Sequence, residues 1–266
     1  MLEVEFAGLS DPGLLRQNNE DCLGQFIPST PELARSHGWL FVVADGVGGQ
    51  DRGEVASHLA VRTLTEGFRK APAREAHMAL LPKLVQAANS EVFQTGLTAH
   101  PGGSNMATTV VACALQFDRA IVSHVGDSRC YLIRRNLAVS LTRDHTVSGE
   151  QARMRLISAR EAASASTANL LSRSLGTNMF VNVETSEHRL TAGDTLLLCS
   201  DGLHHSVTAE DIIETLGAGS SLDEAAGRLV DVAKQRDGSD NISVQLIRIR
   251  AVERVGMYRG RHYKVH

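Results

Sequence analysis

The sequence predicts an α+β fold arranged as a four-layer α/β/β/α sandwich, two antiparallel sheets packed face to face and flanked by helix pairs. Three observations carry this. At least eight short runs are apolar throughout or alternate with period two, as strands do. Four longer segments show helical periodicity and fall into two pairs, one interrupting the strands and one following them. The connections inside the 108–140 block are too short for a parallel crossover, so its strands pair as antiparallel hairpins.

Strands are expected at Glu3 to Leu9, Trp39 to Ala44, Thr108 to Leu115, Ala120 to Val125, Cys130 to Arg134, Val181 to His188, Thr195 to Cys199 and Ile242 to Ile249. Helices are expected at Glu54 to Phe68, Glu75 to Phe93, Thr208 to Leu216 and Leu222 to Lys234, with Thr208 and Ser221 as N-caps and acidic residues in the first turn. The segment from Ser148 to Thr167, rich in Ala, Ser and Arg, is the least strand-like interior stretch, and reads either as a flap over a site or as a plain surface helix. From Arg248 onward six basic residues face Glu253 alone, giving residues 251–266 the character of a solvated basic tail, with docking as the alternative. No linker or repeat divides the chain, so 1–250 is expected to form a single domain.

With 42% hydrophobic and 21% charged residues over 266 positions, the chain has the make-up of a globular protein and not of a disordered one. Its net charge of −3 argues against nucleic acid as a partner, because binding to a phosphate backbone needs a basic face. The longest apolar runs, such as Trp39 to Ala44, stop well short of the roughly 18 residues of a membrane span. Glu3 and Glu5 stand where a signal peptide carries positive charge, so a cytoplasmic location is expected. Cysteines 22, 113, 130 and 199 lack paired spacing and read as buried thiols, while the histidines form no HExxH or helical pair of the zinc-hydrolase kind.

Chemistry is signalled by where the aspartates stand. Apolar strands run directly into Asp45-Gly46, into Gly126-Asp127-Ser128-Arg129 and into Asp201-Gly202, and Asp240-Asn241 abuts the strand that starts at Ile242. One Asp-Gly is usually a turn. Four at strand ends, with Asn19-Glu20-Asp21 near the start, can converge on one rim. Clustered carboxylates without histidine or cysteine partners repel one another unless a cation lies among them, and an all-oxygen set suits Mg²⁺ or Mn²⁺. Two such ions can activate a water and clamp a transferring phosphoryl group.

The ordered set Arg16-x-x-Asn19-Glu20-Asp21, Ala44-Asp45-Gly46-Val47-Gly48-Gly49, Gly126-Asp127-Ser128-Arg129, Ser200-Asp201-Gly202 and Asp240-Asn241 resembles the protein phosphatase 2C family, the metal-dependent serine/threonine protein phosphatases, in its compact bacterial form. Thr108-Thr109 and Leu141-Thr-x-Asp144-His145 agree with it. The resemblance implies that Asp45 bridges two metals, that the Gly46 carbonyl completes the second site and that Asp201 and Asp240 hold the first. It further implies that Glu20 and Asp21 act through metal-bound waters and that Asp127 builds a third, weaker metal site with Asp201. Arg16 would hold the substrate phosphate while a metal-bridging hydroxide attacks phosphorus in line, with no phosphoenzyme. The cofactors implied are Mn²⁺ or Mg²⁺. The partners implied are phosphorylated proteins, among them a bacterial serine/threonine kinase, which the enzyme would oppose, and a forkhead-associated-domain protein.

Val47 stands where many eukaryotic members have a histidine proposed to protonate the leaving group. A metal-bound water is the expected proton source instead, with His58 and His145 as the nearby residues to test. Alternatives are a pseudophosphatase binding module and a phosphatase of an anti-sigma-antagonist-type partner; the first is disfavoured because Asp45, Asp127, Asp201, Asp240 and Arg16 are all present. A serine-hydrolase elbow at Gly126-Asp-Ser128 lacks its second glycine, and Gly46-Val-Gly48-Gly49 fits no nucleotide loop. His204-His205 is expected to pack rather than to ligate, and Trp39 to lie in the core.

Overall fold

The computed structural model describes residues 2–47, 52–99, 106–258 and 261–264. Gly48 and Gly49 of the second motif, and residues 259, 260, 265 and 266 of the tail, lie outside the described residues. In chain order the elements are β1 (Glu3–Asp11), β2 (Asp21–Phe26), α1 (Pro31–Ser36), β3 (Trp39–Asp45), α2 (Gly53–Lys70), α3 (His77–Ala99), β4 (Val110–Gln116), β5 (Arg119–Val125), β6 (Arg129–Arg134) and β7 (Leu137–Ser140). They continue with α4 (Val147–Arg153), α5 (Ala159–Ser164), β8 (Glu184–Arg189), β9 (Thr195–Cys199), α6 (Asp201–His204), α7 (Ala209–Gly217), α8 (Leu222–Arg236), β10 (Ile242–Ala251), β11 (Val255–Tyr258) and β12 (Arg261–Lys264).

Two five-stranded antiparallel sheets form the sandwich, one ordered β1-β10-β9-β6-β7 and the other β2-β3-β4-β5-β8. Central strands are buried on both faces, which is why they read as continuous apolar runs. In β3, Phe41 and Val43 face the opposite sheet, while Leu40, Val42 and Ala44 meet α2 and α3. In β9, Leu196 and Leu198 point between the sheets, and Leu197 and Cys199 toward α7 and α8. Trp39, Cys113 and Cys130 belong to the same inter-sheet core, as expected of a core tryptophan and buried thiols. The four-layer expectation is therefore met. Thr208 and Ser221 cap α7 and α8, each in a reciprocal capping box, with Asp211 and Glu224 as the third-position partners.

Several local expectations change. β2 was not anticipated, because Asp21-Cys-Leu-Gly-Gln-Phe has neither strict alternation nor an apolar run; its pairing with β3 sets Asp21 opposite Asp45. The strand expected from Val181 begins at Glu184, since the Val181 N–H is held by Gln86 Oε1 of α3 (3.1 Å) instead of by a ladder. The 148–167 stretch becomes α4 and α5, anchored to the body by the Thr146–Leu171 bridge. In the basic terminus, 255–258 pairs antiparallel with 261–264.

The most consequential difference concerns the 108–140 block. Its β4–β5 and β6–β7 connections are hairpins, the second turning through Arg135 and Asn136, both at positive φ as a two-residue type I′ turn requires. The link Gly126–Ser128 is no hairpin: β5 and β6 lie in different sheets. Gly126, at φ +105°, turns the chain across the sandwich, and a Cβ there would stand 2.6 Å from Thr109 Cβ. Asp127 is thereby set at the seam between the sheets.

Candidate metal centre

One end of the sandwich gathers the acidic residues. Asp45 closes β3, Asp21 opens β2 beside it, Asp127 sits on the sheet-to-sheet crossing, Asp201 follows β9 at the start of α6, and Asp240 precedes β10. Asp21 and Asp127 are each 5% exposed. Among the described residues none of Asp21, Asp45 and Asp127 has an ion-pair partner; Arg16 pairs with Asp240 (2.9 Å), and His205 Nδ1 stands 3.7 Å from Asp201.

Burial and mutual repulsion act on the whole cluster. Burial, then Asp21, Asp201, Asp127 and Asp240, hold the Asp45 carboxyl well above its ordinary range. Asp127 is pushed up to about 7 by burial and by Asp201, and Asp21 to about 7 by burial, with Asp201 and Asp240 adding to it. Asp201 is raised by burial too, with Asp240 adding to it and His205 opposing. Burial also raises Glu20. Among the described residues the buried Asp21 Oδ1 has no hydrogen-bond partner, although Oδ2 accepts from Ser200 Oγ at 2.7 Å. Such a set is frustrated as a purely proteinaceous arrangement, and its oxygen-only donors fit hard divalent cations.

Polar contacts that the sequence signalled only faintly hold these residues. Asn241, 5% exposed, accepts from the Glu20 N–H (2.8 Å) and donates from Nδ2 to Pro12 O and Asn18 O (both 3.0 Å). It thus pins the 12–20 loop, carrying Arg16 and Glu20, to the Asp240 turn. Arg16 itself donates from Nη2 to Asp240 and from Nε to Ser239 O (3.3 Å), and its side chain is 42% exposed. Thr109 Oγ1 accepts from the Asp45 N–H (3.1 Å), Thr108 Oγ1 donates to Asp45 O (2.8 Å), and Thr109 meets Ser128 at 2.7 Å, so the end of β3 is locked to the crossing. Gly46 is required by crowding: a Cβ there would lie 2.7 Å from Glu20 O.

The histidines divide as expected at one place. His204 is buried and donates from Nε2 to Asp127 O (3.0 Å), so it packs and positions rather than ligates. His58 is exposed on α2 with Nδ1 at Glu54 O, and Val47 is fixed by its N–H to Ala107 O (3.0 Å). Apart from the aspartates, His124, His145 and Glu184 group closely enough for a metal to be considered. Their protons oppose one: His145 Nδ1 accepts from the Gly126 N–H (3.1 Å), which leaves the proton on Nε2, facing Glu184 at 3.4 Å with Arg173 Nη1 3.3 Å away.

This fold and centre define a class. The sequence pattern of the family described as protein phosphatase 2C matches residues 32–239, which include the Asp45, Asp127 and Asp201 motifs. The serine/threonine phosphatase stp of Listeria innocua is 34% identical over 255 residues, covering 95% of this chain and 96% of that protein. The catalytic domain of the serine/threonine protein phosphatase PstP, solved in complex with two manganese ions, superposes with a TM-score of 0.78 at 32% identity, covering 94% of this chain and all of that one. Serine/threonine phosphatase Stp1 from Staphylococcus aureus gives a TM-score of 0.83 at 28% identity over 94% of this chain and 96% of its own. The chain belongs to the protein phosphatase 2C family.

Proposed function

We propose that the protein hydrolyses phosphoserine and phosphothreonine esters on proteins, using two Mn²⁺ or Mg²⁺ ions at the aspartate centre. The observation that carries this reading is the convergence of Asp21, Asp45, Asp127, Asp201 and Asp240 on one rim, with burial and repulsion raising the four whose carboxyls are most enclosed. Asp45, the Gly46 carbonyl, Asp201 and Asp240 would hold the ions, Glu20 and Asp21 would stand behind them through water, and Asp127 with Asp201 would offer a further position. When bound, the ions supply the activated water and neutralise charge on the phosphoryl oxygens.

The chain's own residues orient that chemistry. Arg16, half exposed at the rim, offers a planar fork for two phosphate oxygens. Asn241 fixes the loop that carries it. Val47 has no proton for the leaving group, and solvent at the centre supplies it. Residues 1–250 act as one catalytic unit, with the α4–α5 excursion as a flap beside the site and 251–266 as an appended basic segment. We further propose a cytoplasmic enzyme that opposes a serine/threonine kinase and acts on that kinase and on a forkhead-associated-domain protein. Among the described residues no helix is long and apolar enough to cross a membrane.

The test is release of phosphate from phosphothreonine, phosphoserine and phosphotyrosine peptides with Mn²⁺, Mg²⁺ or chelator, beside Asp201→Asn. Metal-dependent release from the first two, abolished in chelator and in the variant, is expected. Metal binding without release from any peptide would turn the reading to a pseudophosphatase.

A further inference from the structure

Beside the metal centre lies a cleft of about 670 Å³ bordered by Arg143, Arg153, Arg173, His145, Glu150 and Glu184. It has the size of a ligand site. His145, on its wall, is tied to the crossing turn that carries Asp127: its N–H donates to Gly126 O (3.0 Å) and the Gly126 N–H donates to its Nδ1 (3.1 Å).

The cleft is positive in a chain that is negative overall. Asp144, also on its wall, is neutralised by Arg129 in a two-bond fork (2.9 and 2.6 Å). That leaves three guanidinium groups against Glu150 and Glu184. Glu150 is shared by Arg153 and Arg173, and among the described residues no carboxylate lies within 4.0 Å of Arg143. A cation is disfavoured here by the Arg173 guanidinium and by the proton on His145 Nε2, whereas an oxyanion finds guanidinium forks at the mouth.

We propose that this cleft binds a second anionic group of the phosphoprotein substrate, phosphoryl or carboxylate, a few residues from the phosphorylated residue that occupies the metal centre. The proposal rests on the phosphatase reading and names the substrate class that reading leaves open: segments carrying a further phosphoryl group or acidic side chain. Arg143 and Arg153 receive it, and Arg173, held by Glu150 over His145, forms the floor.

The experiment measures affinity by fluorescence anisotropy on the full chain carrying Asp201→Asn, so that peptides are not consumed. Phosphothreonine peptides carry, two to six residues away, a second phosphothreonine, an Asp or Glu pair, or Ala, a reach of roughly 7–20 Å. At one spacing or more the doubly phosphorylated peptide is expected to bind about tenfold tighter than the Ala peptide, with the acidic peptide between them, and Arg143→Ala/Arg153→Ala removes the difference. Both side chains are largely solvent-exposed, so the double variant folds; its metal-dependent turnover of p-nitrophenyl phosphate in the Asp201 background stays within about twofold. Equal affinity for all peptides at every spacing, or a preference intact in the double variant, overturns the proposal. Absence of metal-dependent phosphate release strikes the phosphatase reading instead, while the anisotropy series still decides the cleft.

Discussion

Asn241→Ala tests whether the loop bearing Arg16 is held by one buried amide. The side chain makes three hydrogen bonds to backbone groups of residues 12–20 at 2.8–3.0 Å. A net contribution of about 1 kcal/mol for each gives a loss near 3 kcal/mol, lowered to about 2 if water reaches the freed carbonyls of Pro12 and Asn18. Asn241→Asp keeps the acceptor for the Glu20 N–H but turns a carboxylate oxygen toward those two carbonyls, next to an already acidic rim. It is expected to cost at least as much as the alanine change. Urea unfolding at constant m value reads the stability, and steady-state hydrolysis of an aryl phosphate reads the site. KM should rise more than kcat falls, because the phosphate-binding Arg16 is what loses its support. A cost below about 0.5 kcal/mol with unchanged KM, or an Asp variant milder than the Ala variant, would refute the clamp.

Three further predictions follow from the same geometry. Gly126→Ala meets both a forbidden φ and the Thr109 side chain, so it should cost over 2 kcal/mol and impair turnover, whereas Gly193→Ala, at φ +90° with nothing within 4 Å, should cost only about 1 kcal/mol in thermal or urea melts. Asp45→Asn removes one member of a repelling cluster: in chelator it should melt above the wild type by the equivalent of about 1–2 kcal/mol, and Mn²⁺ should stabilise it less, a reversal refuted if the metal-free variant is the weaker. Burial of His77 beside Phe68 lowers its pKa from 6.5 to about 4, so the unfolded chain binds the extra proton between those values; its contribution is full above about pH 6.5 and lost as pH falls toward 4, up to about 3 kcal/mol. Urea midpoints at pH 7 and 4.5 should therefore diverge less in His77→Phe than in the wild type.

Much of the centre was legible because the aspartates sit at fixed offsets from strong strand signals. Asp45, Asp127, Asp201 and Asp240 each end or precede an apolar run, and the structure brings all of them to one rim. Less legible was what holds them. Asn241 belongs to the Asp240-Asn241 motif, but its task shows only when the 12–20 loop, more than 220 residues earlier, folds against it. Ser200 acquires its role only because β2, itself weakly patterned, delivers Asp21 to its hydroxyl.

The crossing at Gly126 shows where local reading stops. Short spacing between strands implies antiparallel neighbours when both remain in one sheet, and Gln116–Arg119 obeys that rule. Gly126–Arg129 has nearly the same spacing, yet joins two sheets, because Gly126 adopts φ +105° against Thr109. The cleft of Arg143, Arg153 and Arg173 is likewise invisible in sequence, its guanidinium groups being spread over thirty residues and carried by the stretch before α4, by the end of α4 and by the segment between α5 and β8.

By itself the sequence determined the layers, the periods, the caps of α7 and α8 and the identity of the acidic residues, since these depend on side-chain chemistry and on spacing within a few residues. Which strands share a sheet, how Asp21 comes to face Asp45, and which polar groups are left without partners were decided only by the tertiary structure, because each depends on contacts between segments whose separation along the chain carries no local signal.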